Sequence, residues 1–299
     1  MLNDVETGFE AAILVKPTLH AFQAHGRTLT YLAWGNPNRP PLVFLHGGLA
    51  NAYWFAHIAP SFIDQFYVCA LHLNGHGYSD WQDSYRLSDF SDSLDALLGQ
   101  LNQAPPIIIG HSFGARIAFY FSQHYQHRIA YLCLLDPADF THSEVQLPRS
   151  LKQSRQISYY HDADVLIKRF RLVPEQPITH PEIHHFIATH AIIQTPDGYR
   201  WQADTNLFVK FSTEQAAMMP ANSSSGLPRP LPPCDLLYGE FSSNCTAQVL
   251  GCIQAAFPFI QSFQLDSAYH ALMLDQPVAL IRFLKDRIAF HARTRHDAY

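Results

Sequence analysis

Short apolar runs bounded by Gly, Pro and Asn alternate with stretches of helical period along most of the chain. The pattern predicts eight strands, at residues 19–24, 28–34, 41–45, 66–71, 107–109, 129–135, 234–238 and 259–265. The first two show rough apolar/polar alternation with Gly26 between them, as an antiparallel hairpin requires. The central runs VFL, IIIG and LCLL are continuously apolar, which suits strands covered on both faces. Helices are predicted at 88–101, 113–125 and 277–290. The first of these carries Phe90, Leu94, Leu97, Leu98 and Leu101 on one stripe behind Ser88 as N-cap. The whole reads as an α/β fold: an eight-stranded, mostly parallel sheet with helices on both faces.

From about residue 140 to 233 the strand rhythm gives way to helical fragments, ten prolines between Pro148 and Pro233, and the tract PANSSSGLPRPLPP. This divides the chain into a core at 1–139, a helical cap inserted between the sixth and seventh strands at 140–233, and a returning core segment at 234–299. Residues 223–233 are read as the flexible return.

Composition narrows the function classes. A net charge of −5 with 15% charged residues offers no basic face for nucleic acid or an anionic membrane. No apolar run reaches the length of a membrane span, and the first twenty residues lack the basic start and long apolar core of a signal peptide, so a cytoplasmic location is expected. The five cysteines form no CxxC pair and are read as reduced thiols, mostly buried.

The candidate chemistry begins at IIIGHSFGARIAF, where Gly110, His111, Ser112, Phe113 and Gly114 lie between a buried strand and an amphipathic helix. A bare GxSxG is a weak signal. In this context it predicts a nucleophile elbow, because a strand turning directly into a helix lifts the middle hydroxyl above the sheet. The backbone N–H of Phe113, at the start of the helix, is one expected oxyanion donor. VFLHGGLANAYW follows the third strand, and its Gly48 is the expected second donor. Among 18 histidines, His270 in DSAYHALMLDQP is the expected base, because it sits after the last strand and just before the last helix.

These segments, with NGHGYSD at 74–80, resemble the α/β-hydrolase superfamily, in its branch of small cap-bearing esterases and related hydrolases. The likeness runs over 19–136 and 236–290 and implies a Ser/His/acid triad, two backbone oxyanion donors, no cofactor and a cap that shapes the substrate pocket. Ser112 separates the chain from dehalogenase and epoxide hydrolase relatives, which carry an Asp at the elbow. One departure matters: relatives commonly place the triad acid a few residues after the seventh strand, where LLYGEFSSNC offers Ser242 and Ser243. Asp136, ending the sixth strand in LCLLDPADF, is the favoured acid, because a buried carboxylate must reach the far ring nitrogen of His270. Glu240, in the loop after the seventh strand, is the alternative.

THPEIHHFIATH groups His180, His184, His185 and His190 without an HExxH arrangement or nearby cysteines, and is read as a polar cap face with no metal. His76 is a weaker base candidate than His270. Cap aromatics such as Tyr159, Tyr160, Phe170, Phe186, Tyr199, Trp201, Phe208 and Phe211 either line an apolar pocket or form the cap's own core. The leading expectation is a serine carboxylesterase acting on small or medium hydrophobic acyl esters. A hydrolase of carbon–carbon bonds in vinylogous diketones and a non-catalytic ligand-binding protein are the alternatives.

Overall fold

The computed structural model describes residues 2–101, 104–125, 129–137, 140, 153–211 and 231–296. Strands β1 (Thr18–Ala24), β2 (Arg27–Trp34), β3 (Pro41–Leu45), β4 (Tyr67–His72), β5 (Ile107–His111) and β6 (Tyr131–Leu135) precede a small hairpin, β7 (Ile192–Thr195) and β8 (Gly198–Trp201). Strands β9 (Cys234–Gly239) and β10 (Gln261–Leu265) follow it. Eight of them form one sheet in the order β1-β2-β4-β3-β5-β6-β9-β10. The β1/β2 and β2/β4 pairs are antiparallel and the other pairs in this sheet parallel.

Alternation along β3 shows how the sheet is covered. Leu42 and Phe44 join the apolar layer containing Leu280 and Leu284 of α9 (Pro277–His296). Val43 and Leu45 join the opposite layer, with Leu94 and Leu97 of α2 (Leu87–Gln100) and Phe119 of α3 (Phe113–Tyr125). All four β3 side chains are fully buried. At about 1.5–3 kcal/mol for each large apolar side chain removed from water, the two layers supply the main drive for folding.

Three details differ from the sequence reading. Helix α2 is capped by Arg86 rather than Ser88, with the Asp89 carboxylate accepting from the Arg86 N–H at 2.9 Å. A helix not predicted, α1 (Leu2–Leu14), packs Phe9 edge-on against the rings of His57 and Phe186. The region expected to be a purely helical cap contains, besides α4 (Ala163–Arg169), α5 (Pro181–Thr189) and α6 (Leu207–Lys210), the β7–β8 hairpin. Its strands have only four residues each, too short for a visible period of two. The return tract at 223–230 lies outside the described residues.

Residues 153–211 lie over the edge of the sheet where the parallel strands end. Asn51 donates to the His190 carbonyl, Trp81 Nε1 to the Gln202 carbonyl, and the Asp204 N–H to the Gly75 carbonyl. Gln176 Nε2 and Thr179 Oγ1 donate to Asp275 of α8 (Leu272–Asp275). The loops after β3, β4 and β10 are therefore all fastened to this segment.

Candidate active site

Backbone strain marks one end of the sheet. Among the described residues, five non-glycine residues have positive φ, and four of them (Leu49, Ser112, Asp136 and Ser267) follow the C-terminal ends of β3, β5, β6 and β10. Such conformations cost of order 1–3 kcal/mol each and persist where the surroundings over-determine them, most often at functional sites.

Ser112 is the single residue between β5 and α3, with φ of 52°. Its N–H donates to the Leu135 carbonyl at 2.9 Å, which ties the bend to the end of β6. The approach of neighbouring backbone explains Gly114: a Cβ there would sit 2.3 Å from the Leu45 carbonyl oxygen, so a side chain would push β3 and α3 apart. The N–H groups of Ala115 and Arg116 turn back to the Ser112 carbonyl. Those of Phe113 and Gly114 take no acceptor among the described residues, as expected for the opening turn of a helix. This leaves donors and the positive end of the helix dipole beside the serine.

His270 lies in the loop between β10 and α8, almost fully buried. Its Nδ1 is 2.7 Å from Oδ1 of Asp136, which is 0% exposed. The carboxylate also accepts from the Gly239 N–H at 2.9 Å and from Ser242 Oγ at 2.7 Å. Ser242, in the loop after β9, thus donates to the carboxylate that reaches the histidine from the neighbouring strand β6. Its oxygen is held in turn by the N–H groups of Asn244 and Cys245. Glu240, the alternative acid, is exposed and accepts from the Ser267 N–H at 2.8 Å, closing the turn after β10. Asn244 Nδ2 approaches the His270 ring at 3.2 Å from Nδ1. Among the described residues no hydrogen bond joins Ser112 Oγ to the imidazole; the two residues are linked through His111, whose Nε2 donates to the His270 carbonyl at 2.9 Å.

The loop after β3 is held by buried histidines. His46 Nδ1–H donates to the Gly47 carbonyl, and its Nε2 accepts from the Leu73 N–H. His76, in the NGHGYSD turn, accepts the Leu49 N–H at 2.9 Å and donates to the Asn74 carbonyl. Both are kept neutral, His46 well below its ordinary range and His76 at about 4; burial is the main cause in each. A neutral His76 supplies the lone pair that fixes Leu49, so this ring works as a strut for the loop. A Cβ on Gly48 would fall 2.4 Å from the Phe208 ring, which reaches down from α6 and stands edge-on to Phe113.

Several of these positions were not singled out from sequence: His111, Ser242 as a donor, Asn244 and above all Asp275. The Asp275 carboxylate accepts the Tyr269 N–H at 2.8 Å as well as the donors from Gln176 and Thr179, so it sets the loop that carries His270. Burial raises its pKa, against hydrogen bonds from Tyr269, Gln176 and Thr179. The signal was present in HALMLDQP, but the pattern does not tell a helix-start aspartate from a loop anchor. Three of the four histidines at 180–190 have separate surroundings: His180 pairs with Glu182 at 3.3 Å, His184 packs on Phe170, and His190 packs between Tyr53 and Phe186. Among the described residues no group of three or more His, Cys, Asp or Glu is arranged to hold a metal ion, and no helix is long and apolar enough to cross a membrane.

The arrangement has clear parallels. A stretch of 166 residues is 28% identical to epoxide hydrolase 4 of Mus musculus, covering 54% of this chain and 44% of that protein. Over 107 residues the chain is 33% identical to a serine hydrolase-like protein of Homo sapiens, covering 35% and 53% respectively. The chain spans about half the length of these two curated relatives. Among solved structures, an E-2-(acetamidomethylene)succinate hydrolase superposes with a TM-score of 0.76 at 18% identity, covering 91% of this chain and 99% of that one. The family model described as alpha/beta hydrolase fold matches residues 40–277, which include Ser112, Asp136 and His270. With an eight-stranded sheet of this order and a serine at the bend between β5 and α3, the chain belongs to the α/β-hydrolase-fold family.

Proposed function

We propose that the protein is a serine hydrolase that cleaves carboxylic esters through an acyl-enzyme on Ser112. His270 takes the Ser112 proton and returns it to the leaving alcohol, and Asp136 orients the imidazole. The N–H groups of Phe113 and Gly48 receive the oxyanion. The observation that carries this reading is the 2.7 Å contact of His270 Nδ1 with the buried Asp136 carboxylate. An ionised carboxylate accepts from Nδ1–H, and this tautomer leaves Nε2 with the lone pair that a general base needs. The Ser112–His270 hydrogen bond forms when substrate fills the site, since catalytic hydrogen bonds commonly tighten only in the substrate complex.

Several curated relatives of this chain are named epoxide hydrolases. Ser112 favours ester cleavage over that chemistry, because a hydroxyl nucleophile activated by a base suits acyl transfer, whereas the epoxide-opening members of the fold use a carboxylate at the elbow. The reading as a non-catalytic binding protein drew on the lack of an acid after the seventh strand. It loses that support once Asp136 meets His270.

A fluorophosphonate probe is expected to add once, at Ser112, and p-nitrophenyl esters of short acids are expected to give a burst of p-nitrophenol. Ser112→Ala should abolish both. Folded protein that takes no label would refute the proposal.

A further inference from the structure

Beside the oxyanion loop lies a half-open cleft of about 490 Å³, bounded on one side by Leu49, the residue after Gly48. Its remaining wall comes from Trp81 and from the segment above the sheet, including Phe170 and Trp201. Four arginines line it, Arg155, Arg169, Arg171 and Arg200, with no Asp or Glu among the lining residues. In a chain with 25 acidic and 20 basic residues, this local excess runs against the composition. Arg169, Arg171 and Arg200 form no ion pair with a carboxylate among the described residues. They are nevertheless held in place. Arg171 Nη1 donates to the Lys168 and Phe170 carbonyls, Arg200 Nη1 donates to the Trp201 carbonyl, and the Arg200 guanidinium lies 4.3 Å from the Trp81 ring centre. Arg169 lies 5.4 Å from the Tyr160 ring centre. An arginine anchored through one nitrogen and an aromatic face keeps further N–H donors for a ligand, in the planar geometry that suits carboxylate or phosphate oxygens.

We propose that this cleft receives the negatively charged end, a carboxylate or a phosphate, of a substrate whose ester bond is cleaved at Ser112, a proposal that rests on the hydrolase reading above. The substrate class is then an ester with an apolar or planar middle section, lying against Trp81, Phe170 and Trp201, and an anionic terminus. Because the cleft is half-open, the attraction is screened by salt.

Trp81 and Trp201 make the cleft readable without turnover. Wild-type protein is titrated with hexanoate, hexyl phosphate and hexan-1-ol while tryptophan emission is recorded. A saturable change with an anion and none with the alcohol is expected, the tighter of the two anions naming the terminus. The triple variant R169Q/R171Q/R200Q should weaken that binding at least tenfold, and raising salt from 50 to 500 mM should weaken it in the wild type. If the triple variant does not fold, R169Q and R200Q singly carry the test, each expected to weaken binding about threefold. Equal binding of anion and alcohol, or wild-type affinity in the folded variants, would overturn the proposal. Anion binding with an unlabelled Ser112 would keep the cleft and refute the esterase reading; a labelled Ser112 with no anion binding would do the reverse.

Discussion

Asp136 and Asp235 are buried carboxylates on neighbouring strands of one sheet, the first just past the C-terminal end of β6 and the second near the N-terminal end of β9. Each meets a histidine ring and a hydroxyl at hydrogen-bonding distance. Asp235 also accepts Arg287 Nε at 2.6 Å and Nη2 at 3.1 Å, so a permanent cation matches its charge. Burial pushes its pKa up, but hydrogen bonds from His291, Arg287 and Tyr131 outweigh that and hold it below the ordinary carboxylate value. Asp136 has no Lys or Arg partner among the described residues. Its partners are a histidine, an amide and a hydroxyl. Its charge is matched fully only while His270 carries a second proton, which in the proposed reaction is the moment when Ser112 gives its proton up. The same residue type therefore closes a structural network at one end of the sheet and keeps an unspent attraction at the other.

The two ends also differ in their histidines, and acid should expose this most strongly. His46, His57, His72, His76 and His111 are buried around the proposed active site with folded pKa values below the ordinary 6.5. Burial is the largest cause in each; the values are about 4 for His57 and His76 and about 3 for His72 and His111. A depressed folded pKa means that the unfolded chain binds the proton first. The stability from keeping these rings neutral is thus complete above pH 6.5 and is lost as pH falls from there toward about 4 for His57 and His76 and about 3 for His72 and His111. Each ring contributes a slope of about 1.4 kcal/mol per pH unit in that window. Two or three such rings suffice to exhaust a typical stability of about 5–15 kcal/mol. Urea midpoints measured at pH 7.5, 6.5 and 5.5 should fall steeply below 6.5, and a flat series would contradict the neutral-histidine picture.

Removing one charge at a time separates the two ends. Asp136→Asn should lower kcat by about three to four decades, because an amide in that place favours the wrong imidazole tautomer. Asp235→Asn should leave turnover per folded molecule unchanged but destabilise the fold by about 3 kcal/mol, since Arg287 then keeps its charge without its partner. Steady-state kinetics and urea melts on both variants test the contrast, and a turnover loss at Asp235 matching that at Asp136 would break it.

The difference between the two carboxylates was only half legible in the sequence. Ser112 announced itself because a serine between glycines, a buried strand and an amphipathic helix is a local pattern, and local patterns survive in one dimension. His270 could be chosen among many histidines by chain order alone. Asp136 was favoured as a buried carboxylate that could reach the far ring nitrogen of His270, yet the distance between them depends on how β6, β9 and β10 pair, which is a property of the sheet. Asp235 gave no sign, since its cation and its histidine come from α9, more than fifty residues further on. The arginine cleft was hidden for the same reason: its lining is gathered from the turn after β4, α4 and a hairpin too short to show a period.

The finest test of the comparison compares two hydroxyls. Ser242 Oγ donates to Asp136 and Tyr131 Oη donates to Asp235, both at 2.7 Å. A hydrogen bond to a charged group is worth about 1.5–3 kcal/mol, but where it is felt depends on what the carboxylate does. Tyr131→Phe leaves Asp235 with Arg287 and His291, so the loss should appear only as stability, about 1 kcal/mol, with kcat unaltered. Ser242→Ala leaves Asp136 free to tilt away from Nδ1 and takes the acceptor from the Asn244 and Cys245 N–H groups. It should lower kcat about tenfold with KM little changed, because an oriented imidazole matters chiefly in the transition state. Ser242→Thr keeps the hydroxyl and should restore most of the loss, which distinguishes positioning of the carboxylate from general loosening of the loop. If Ser242→Ala lowered stability while kcat stayed at the wild-type value, Ser242 would be a loop-closing residue and Asp136 would hold His270 without its help.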